Sequence, residues 1–319
     1  MLSVSPSSSL ALNNNCSLTS EDLLLTIVLS FSILSRPSEV SEQLLFKAKE
    51  ELGETDSIRE ESLNLIKEWI QSHNIDYSHL DDQSIRWFLR GSKFDVKRTK
   101  ERIDNFFQFR SKVTEWYSGR DPLSPELLDI LNLGTILPLP GRDDEGRKVI
   151  IIRATIHDAY KHKQDDVLKV MNMVIELMCR DDEATSITGV VCVVDLKGVG
   201  MGHAMQMTPS VIRKAVSSWQ DVNPIRTKGM HYINTPLNVH VVMNIFRTFM
   251  KEKLRRRLHL HRGDSKKVLT SLIPCDNLPK EYGGNGPTID FLTTKWKDRV
   301  VENRDWFMNP EKHGPFSPF

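Results

Sequence analysis

Three closely spaced glycines are the first candidates for chemistry, because a glycine-rich loop after a strand can hold the phosphates of a nucleotide. Gly198, Gly200 and Gly202 follow a predicted buried strand, but His203 stands where a dinucleotide-binding loop has its third glycine. The next predicted helix begins only near Pro209. This spacing disfavours nucleotide binding, and the sequence contains no GxxxxGK[ST] loop, GxSxG elbow or HExxH motif.

Two histidines and one aspartate are the remaining candidates for catalysis or metal binding. His259 and His261 alternate on a predicted strand, so both face one side of it. No cysteine or acidic cluster is near them in the sequence, which favours a surface or structural role over zinc ligation. Asp195, directly after a predicted strand, is interpreted as a hydrogen-bond acceptor and not as a general base. We predict that the protein is not an enzyme and uses no metal or cofactor.

Positive charge is concentrated in one short stretch. Residues Arg247 to Lys267 contain nine basic and two acidic residues, a net charge of +7, whereas the whole chain has 43 basic against 42 acidic residues. Cations beside an apolar helix favour anionic lipid headgroups, at ~1 kcal/mol for each Lys or Arg. A solvated helix face is the plainer alternative. Nucleic acid is disfavoured, because the stretch lacks exposed-looking interleaved aromatic residues and no helix-turn-helix, RRM or zinc-finger spacing accompanies it.

The segment that runs into this charge is predicted to be a helix with an unusually wide apolar arc. It begins at Pro236, and its apolar side chains form two adjacent i,i+4 rows. The first row contains Leu237, Val241, Ile245 and Phe249, and the second contains Val242, Phe246 and Met250. A core helix is the plainer interpretation. The alternative is a helix that covers an apolar pocket.

The remaining elements must position these features. With 319 residues and 39% hydrophobic residues, the chain can bury a substantial core over about two domains. Four widely separated cysteines form neither a disulfide framework nor a zinc pattern, which fits a reducing, cytosolic setting. Residues 1–40 are predicted to be a disordered, Ser- and Asn-rich tail. Its apolar run Leu23–Leu34 is shorter than the ~20 residues that span a bilayer, and no basic residue precedes Arg36 as a secretory signal requires.

Residues 41–117 are predicted to form a small all-helical lobe, with helix starts at Ser57 (paired with Glu60), Asp82 and Asp95 and a helix end at Gly91. Residues 118–290 read as an α/β domain. Its predicted elements are two strands joined by a glycine-containing turn, a helix over Asp165–Arg180, a buried strand at Val190–Val194, a helix from Pro209 and a strand at Gly229–Asn234. Residues 291–319 are predicted to form a C-terminal helix and tail.

Six motifs occur in an order that identifies a family. They are DDQSIRWFLRGSKFDVKRT, LPGRDDEGRKV, VVDLKGVGMGHAMQMTP, NPIRTKGMHYINTP, LRRRLHLH at the end of the wide apolar helix, and LPKEYGG. Together they resemble the CRAL-TRIO lipid-binding family, in its branch of alpha-tocopherol transfer proteins and clavesins, over about residues 41–307. The resemblance implies a helical N-terminal lobe, then a mixed-sheet α/β lobe whose apolar pocket is closed by a mobile gate helix over Pro236–Met250.

The resemblance also implies a binding site for phosphatidylinositol bisphosphate. The residues that match the family's basic positions are Arg226, Lys228, Lys253 and Arg257. Arginine can grip phosphate oxygens bidentately while lysine adds point charge, which suits a multiply phosphorylated headgroup. One further basic position of the family is Ser92 here, although Lys93 is adjacent. This departure leaves a role of the helical lobe in headgroup binding open.

The pocket wall implied by the resemblance comes from two strands, one helix and the gate helix. The expected residues are Val190, Cys192, Val194, Ala215, Ser218, Trp219, Val222, Ile225, Ile233, Val241, Val242, Ile245 and Phe249. Phe246 and Met250 are the candidates for the outward row of the gate helix. Tocopherol, a retinoid or another hydrophobic ligand all remain open, because apolar side chains do not identify a lipid.

The predicted function is therefore that of a lipid carrier. The protein is expected to hold one hydrophobic ligand, transfer it between membranes and dock on membranes that contain phosphatidylinositol bisphosphate. The alternative is a phosphoinositide-dependent trafficking adaptor, like clavesin, that does not deliver lipid. The expected location is cytoplasmic, with peripheral association with endosomal or plasma membranes, and nucleic acid is not an expected partner.

Overall fold

The computed structural model describes residues 42–72, 80–237, 239–309 and 315–316. All of them belong to one compact unit, Val40–Phe319. The predicted tail over residues 1–40 lies outside the described residues. Within the described part of the chain, no helix has the length and apolar character needed to cross a bilayer.

The chain begins with helices that precede the sheet. They are α1 Glu42–Leu52, α2 Asp56–Ser72, α3 Asp82–Ser92, α4 Val96–Lys112, α5 Thr114–Tyr117 and α6 Pro125–Leu133. The predicted cap at Asp95 is confirmed, since its Oδ1 accepts from the amide of Arg98 at 2.9 Å. The other two predicted starts are wrong by one or two residues: Asp81 caps α3, and the Thr55 hydroxyl accepts from the Ile58 amide ahead of α2.

Gly91 does not end α3, which continues to Ser92 before Lys93 adopts a left-handed conformation with φ 57°. The glycine serves close packing instead. A Cβ atom at this position would lie 2.5 Å from the carbonyl oxygen of Pro224 and 2.9 Å from the guanidinium of Arg102. The absence of a side chain therefore lets α3 approach the backbone of the α/β part.

A mixed sheet forms the centre of the fold, as predicted, and it has five strands. Its strands are β1 Ile136–Arg142, β2 Lys148–Arg153, β3 Val190–Asp195, β4 Thr227–Ile233 and β5 Leu258–Leu260. They lie side by side in sequence order, with β1 antiparallel to β2 and the other neighbours parallel. The run of buried apolar residues in β3 is typical of a central parallel strand covered on both faces.

Helices connect the strands and cover both faces. They are α7 Gln164–Asp181, α8 Ala184–Thr188, α9 Met201–Gln206, α10 Pro209–Ser217 with a π-helical turn over Ser218–Val222, α11 Val239–Phe249, α12 Glu252–Arg255, α13 Ser265–Leu272, a 3₁₀ turn at Lys280–Tyr282, α14 Ile289–Glu302 and α15 Arg304–Met308. The predicted helix over Asp165–Arg180 corresponds to α7. The predicted gate helix begins at Val239, three residues after Pro236.

The two faces of the sheet belong to different apolar clusters. On one face, Cys192 and Val194 of β3 join the larger cluster, to which α3, α4, α7 and α11 contribute. On the other face, Val193 packs with Leu269 of α13 and Leu292 of α14. Alternation along each strand decides which residues belong to which cluster. Because alternate residues of a strand point to opposite faces, a pocket on one face is lined by every second residue of the strand.

A buried ion-pair network attaches the first helices to the α/β part. Glu54, in the connection between α1 and α2, accepts two hydrogen bonds from Arg90 of α3, at 2.8 and 2.9 Å. Arg90 also donates to Glu183 and to the Ser186 hydroxyl next to β3, each at 2.9 Å. Glu54 and Arg90 are both buried. The network places α1 next to α8 and the N-terminal end of β4.

Candidate functional site

A cavity of about 510 Å³ lies on the face of the sheet that carries the larger apolar cluster. Its floor is formed by Ile152, Val194 and Tyr232, at the carboxyl ends of three parallel strands. Helix α7 contributes Val167 and Met171 to the wall. A cavity of this size falls in the range of about 300–1,000 Å³ that holds drug-sized ligands, and its apolar lining suits a hydrophobic one.

Helix α11 closes the cavity from the outside. Its residues Val239, Val242, Met243 and Phe246 line the cavity. Their i, i+3, i+4, i+7 spacing is that of one helical stripe. Of the eleven residues of α11, only Val239 and Met243 are buried. The helix therefore lies over the cavity with little of its surface buried, and Val239 and Met243 attach it to the larger apolar cluster.

Apolar side chains at the start and outer side of α11 remain exposed. Leu237 is 88% exposed, Val241 58% and Ile245 37%. Met201 and Met205 of α9 are also more than two-thirds exposed, and Met201 lines the cavity. We call Leu237, Val241, Ile245, Met201 and Met205 the apolar rim; all five are exposed, and two of them, Val241 and Met201, also line the cavity.

The structure places five of the thirteen expected pocket residues on the cavity wall. They are Val194, Ala215, Trp219, Val241 and Val242. Val190 and Cys192 face the same side as Val194 but lie further from the carboxyl end of the strand, inside the packed cluster. Ile233 faces the opposite side of the sheet. Its neighbour Tyr232 lines the cavity instead, because alternate residues of a strand point to opposite faces.

The other expected residues lie beside the cavity and not on it. Ser218 is occupied within the π-helical turn, where its hydroxyl accepts a hydrogen bond from the Asn223 amide at 3.0 Å. Val222 and Ile225 belong to the packed cluster. The predicted rows of the gate helix are also corrected. Phe246 and Met250 line the cavity, whereas Ile245 points outward and Phe249 packs against the guanidinium of Arg213.

Several wall residues were not expected from the sequence. Helix α9 and the residues after it contribute Met201, Ala204 and Met207. Methionine is flexible and fills irregular apolar space, so its repetition in MGHAMQM is the signal that could have identified them.

Burial raises the pKa of Tyr232 and keeps its phenol neutral at physiological pH.

The four basic residues expected to bind phosphate lie together near the N-terminal ends of β4 and β5. We call Arg226, Lys228, Lys253 and Arg257 the basic site. Parallel pairing of β4 with β5, in which the Met230 amide donates to the Arg257 carbonyl at 2.8 Å, sets Arg257 beside the start of β4. Burial, then the nearby Arg226, lowers the pKa of Arg257. The site thus concentrates positive charge.

Two members of the basic site already have a carboxylate partner. Arg226 and Lys228 both donate to the same oxygen of Glu51 in α1, each at 2.6 Å. The pKa of Glu51 is lowered to about 2, because these two hydrogen bonds and charges outweigh the opposing effect of its partial burial. This acidic residue was not expected from the sequence.

Lys253 has a different environment. It makes no ion pair with a residue that the structure describes, and partial burial followed by the nearby Arg257, Arg98 and Lys93 lowers its pKa to about 8. Lys93 and Arg98 belong to the helical lobe. Positive residues of that lobe therefore act electrostatically on Lys253, although Ser92 replaces the basic residue of the family pattern.

The residues considered for enzymatic chemistry are engaged structurally. Asp195 accepts hydrogen bonds from the Lys197 amide, the Asn234 side chain and the Tyr282 hydroxyl, at 2.9, 2.7 and 2.8 Å. His259 and His261 stack against His231. In the described ranges of the chain, no group of three or more His, Cys, Asp or Glu residues could hold a metal ion.

Known families match both parts of the chain. The CRAL/TRIO domain matches residues 133–284, and a Pinta-like UBA domain matches residues 55–127. In fold, the chain is similar to the crystal structure of Sfh5, with a TM-score of 0.51 and 13% sequence identity over 79% of this chain and 99% of that one.

Named relatives extend the match over most of the chain. The alpha-tocopherol transfer protein-like protein of Mus musculus is 30% identical over 270 residues, which cover 84% of this chain and 77% of the relative. Clavesin-2 of Homo sapiens is 29% identical over 265 residues, which cover 83% of this chain and 80% of the relative. Clavesin-1 of Xenopus laevis is 29% identical over 248 residues, which cover 77% of this chain and 74% of the relative. The chain therefore belongs to the CRAL-TRIO family of lipid-binding proteins, which are carriers and not enzymes.

Proposed function

We propose that the protein carries one hydrophobic lipid in the cavity under α11, transfers it between membranes, and docks on membranes through phosphatidylinositol bisphosphate bound at the basic site. The observation that carries this proposal is the cavity of about 510 Å³ whose outer wall is a helix with only two buried residues. A wall that buries so little can move at a modest free-energy cost.

The two ends of α11 differ in how they are held. At its C-terminal end, the side chain of Gln220 bonds to the backbone of Phe249 and Lys251, at 3.1 and 3.0 Å, and Arg255 donates to the Met250 carbonyl at 3.1 Å. At its N-terminal end, Leu237 is almost fully exposed. We therefore expect α11 to open as a gate at its N-terminal end while its C-terminal end stays attached.

The exposed apolar rim suggests that the open gate inserts into a bilayer. When α11 leaves the cavity, the stripe that includes Val242 and Phe246 loses its apolar surroundings, and a bilayer supplies new ones. The basic site is also near α11 in the chain, because Lys253 lies four residues after the end of this helix. Lys253 and Leu254 are neighbours on α12, with Lys253 exposed and Leu254 on the cavity wall. A headgroup that binds Lys253 would therefore hold the end of the gate at the membrane surface.

The ligand and the delivery step are tested together. Organic extraction of the purified protein followed by mass spectrometry should recover one lipid at near-stoichiometric yield. A fluorescent lipid loaded into the cavity should then move to acceptor vesicles faster when these contain phosphatidylinositol bisphosphate. Retention of the lipid with no phosphoinositide-stimulated transfer would instead favour the trafficking adaptor, and recovery of no lipid would contradict both.

Matched variants test the basic site. One variant replaces all four residues of the basic site by alanine. Its control replaces four exposed lysines outside the site, Lys112, Lys267, Lys280 and Lys295. Both remove four positive charges, so a purely nonspecific attraction to anionic vesicles would fall equally in both. We expect the site variant alone to lose phosphoinositide-dependent sedimentation with vesicles. Equal loss in both variants would contradict a defined headgroup site.

A further inference from the structure

The basic site is only half available in this structure. One carboxylate oxygen of Glu51 accepts from both Arg226 and Lys228 at 2.6 Å. An oxygen with two cationic donors at this distance makes the same contacts that a phosphate oxygen would make. Glu51 thus stands in for one phosphate of an anionic ligand.

The other half of the site has no such partner in the described part of the chain. Lys253 is surrounded by like charges, among them Arg257, Arg98 and Lys93, and makes no ion pair with a described residue. Arg257 donates to the Thr227 carbonyl and not to a carboxylate. Lys253 and Arg257 therefore offer uncompensated charge to an incoming polyanion, whereas Arg226 and Lys228 are engaged with Glu51.

The helix that carries Glu51 buries little apolar surface. Of the eleven residues of α1, only Ala48 and Leu52 are buried. They pack with Ile187 in a small cluster separate from the main core. On its outer side, Phe46 is 68% exposed. Segments with so few buried apolar contacts open at low free-energy cost.

We propose that α1 is an internal competitor for the basic site, whose Glu51 must be displaced before a polyphosphorylated inositol headgroup can reach Arg226 and Lys228. This inference rests on the headgroup site of the proposed function and adds its regulation. The headgroup binds first at Lys253 and Arg257 and then replaces Glu51. The apparent affinity for the headgroup is proportional to the fraction of molecules in which Glu51 has left the site. Membranes poor in the phosphoinositide therefore release the protein.

The direct test replaces Glu51 by glutamine. Glu51→Gln keeps the size of the side chain and removes its charge, while Glu50→Gln makes the same charge change at an exposed neighbour. Vesicles of phosphatidylcholine with and without phosphatidylinositol bisphosphate are the probes. We expect Glu51→Gln to bind the phosphoinositide vesicles about threefold to tenfold more tightly than the parent. We expect Glu50→Gln to change affinity by less than about twofold.

The outcomes separate this inference from the proposed function. If the parent and both variants bind vesicles equally with and without the phosphoinositide, the proposed headgroup site is wrong, and so is the inference that rests on it. If the parent and Glu51→Gln bind it equally, the site stands and the inference is overturned. The affinity of each variant for soluble inositol trisphosphate is measured as well. A gain in affinity for it without a gain on vesicles would overturn the assignment of a membrane lipid as the displacing ligand.

Hydrogen exchange on the unmodified protein gives a second readout that does not depend on how a variant folds. Amides of α1, Glu42–Leu52, should lose protection when phosphoinositide vesicles are added, because displacement of Glu51 releases the helix from the basic site. Vesicles without the phosphoinositide should leave α1 unchanged. Full protection of α1 in the phosphoinositide-bound protein would overturn the proposal.

Discussion

The side-chain amide of Gln220 donates a hydrogen bond to the carbonyl oxygen of Phe249, at 3.1 Å. Its carbonyl oxygen accepts from the amide of Lys251 at 3.0 Å. One residue of the π-helical turn therefore satisfies backbone groups on both sides of the point where α11 ends. Orphan carbonyls at a helix end need such partners, so Gln220 holds the C-terminal end of α11, the end that stays attached in the proposed gate motion.

Removal of this attachment should make the gate open more often. In Gln220→Ala, two hydrogen bonds worth about 0.5–1.5 kcal/mol each are lost. We expect a fluorescent lipid to leave the protein about fivefold to a hundredfold faster without membranes. Gln108→Ala, at an exposed position of α4, is the control and should release at the parental rate. A parental release rate in Gln220→Ala would show that Gln220 does not hold the gate.

The fold was predictable because its signals are local. An apolar run such as Val190–Val194 identifies a central strand without tertiary information. The choice of cavity residues was less predictable, because it depends on which face of a strand meets the cavity and how far along it the cavity extends. Ile233 illustrates the first difficulty and Cys192 the second: one faces the wrong side, and the other lies in the packed core.

A residue on the cavity wall and a residue beside it should respond differently to enlargement. Ala215→Trp projects into the cavity, so it should exclude the lipid while the protein remains folded. Val222→Trp overpacks the core and should lower stability by about 1–3 kcal/mol. Lipid recovered by extraction and the urea midpoint of unfolding are the two measurements. Parental lipid recovery from Ala215→Trp would move the binding site elsewhere.

The basic site shows a different limit of sequence-based prediction. Matched motifs identified Arg226, Lys228, Lys253 and Arg257, and the pairing of β4 with β5 brings them near one another. Glu51 could not be predicted, because it lies 175 residues from Arg226 in the chain. Its contact depends on where α1 packs, and a charged residue on an amphipathic helix gives no local sign of a distant partner.

Phosphoinositide binding should weaken as the pH rises through about 8. Partial burial and neighbouring cations lower the pKa of Lys253 from 10.5 to about 8, so its ammonium deprotonates in that range. Between pH values of about 8 and 10.5, the unfolded chain keeps a proton on Lys253 that the folded protein has lost. The contribution of Lys253 to the free energy of unfolding therefore rises with pH in this range. Lys253→Arg stays charged and should bind vesicles equally at about pH 7 and pH 9. The same pH dependence in both proteins would exclude Lys253 as its source.

The ion pair of Glu54 with Arg90 should contribute strongly to stability. Both side chains are buried, and Glu183 remains as a second partner of Arg90. Loss of the two bonds from Arg90 to Glu54 should therefore cost on the order of 1–3 kcal/mol, less than the about 3–5 kcal/mol of a fully unpaired buried charge. Glu54→Gln should lose that free energy of unfolding in urea. Asp56→Asn is the control, since Asp56 is exposed and pairs with Arg59 on the surface, and it should change stability by less than about 1 kcal/mol. Similar losses in the two variants would contradict the buried-pair account.

Exposed apolar residues of the gate should control delivery without affecting storage. Leu237 and Ile245 are exposed and lie off the cavity wall, so Leu237→Ser with Ile245→Ser leaves the contacts of the bound lipid intact. Insertion of two such side chains into a bilayer would stabilise the open gate by about 2 kcal/mol or more. We therefore expect lipid transfer to acceptor vesicles to slow by about tenfold or more, with unchanged lipid affinity measured in the absence of membranes.

The control replaces two exposed apolar residues elsewhere, Ile58 and Phe291, by serine and should transfer at the parental rate. Equal slowing in both proteins would mean that general surface hydrophobicity, and not the gate, promotes delivery.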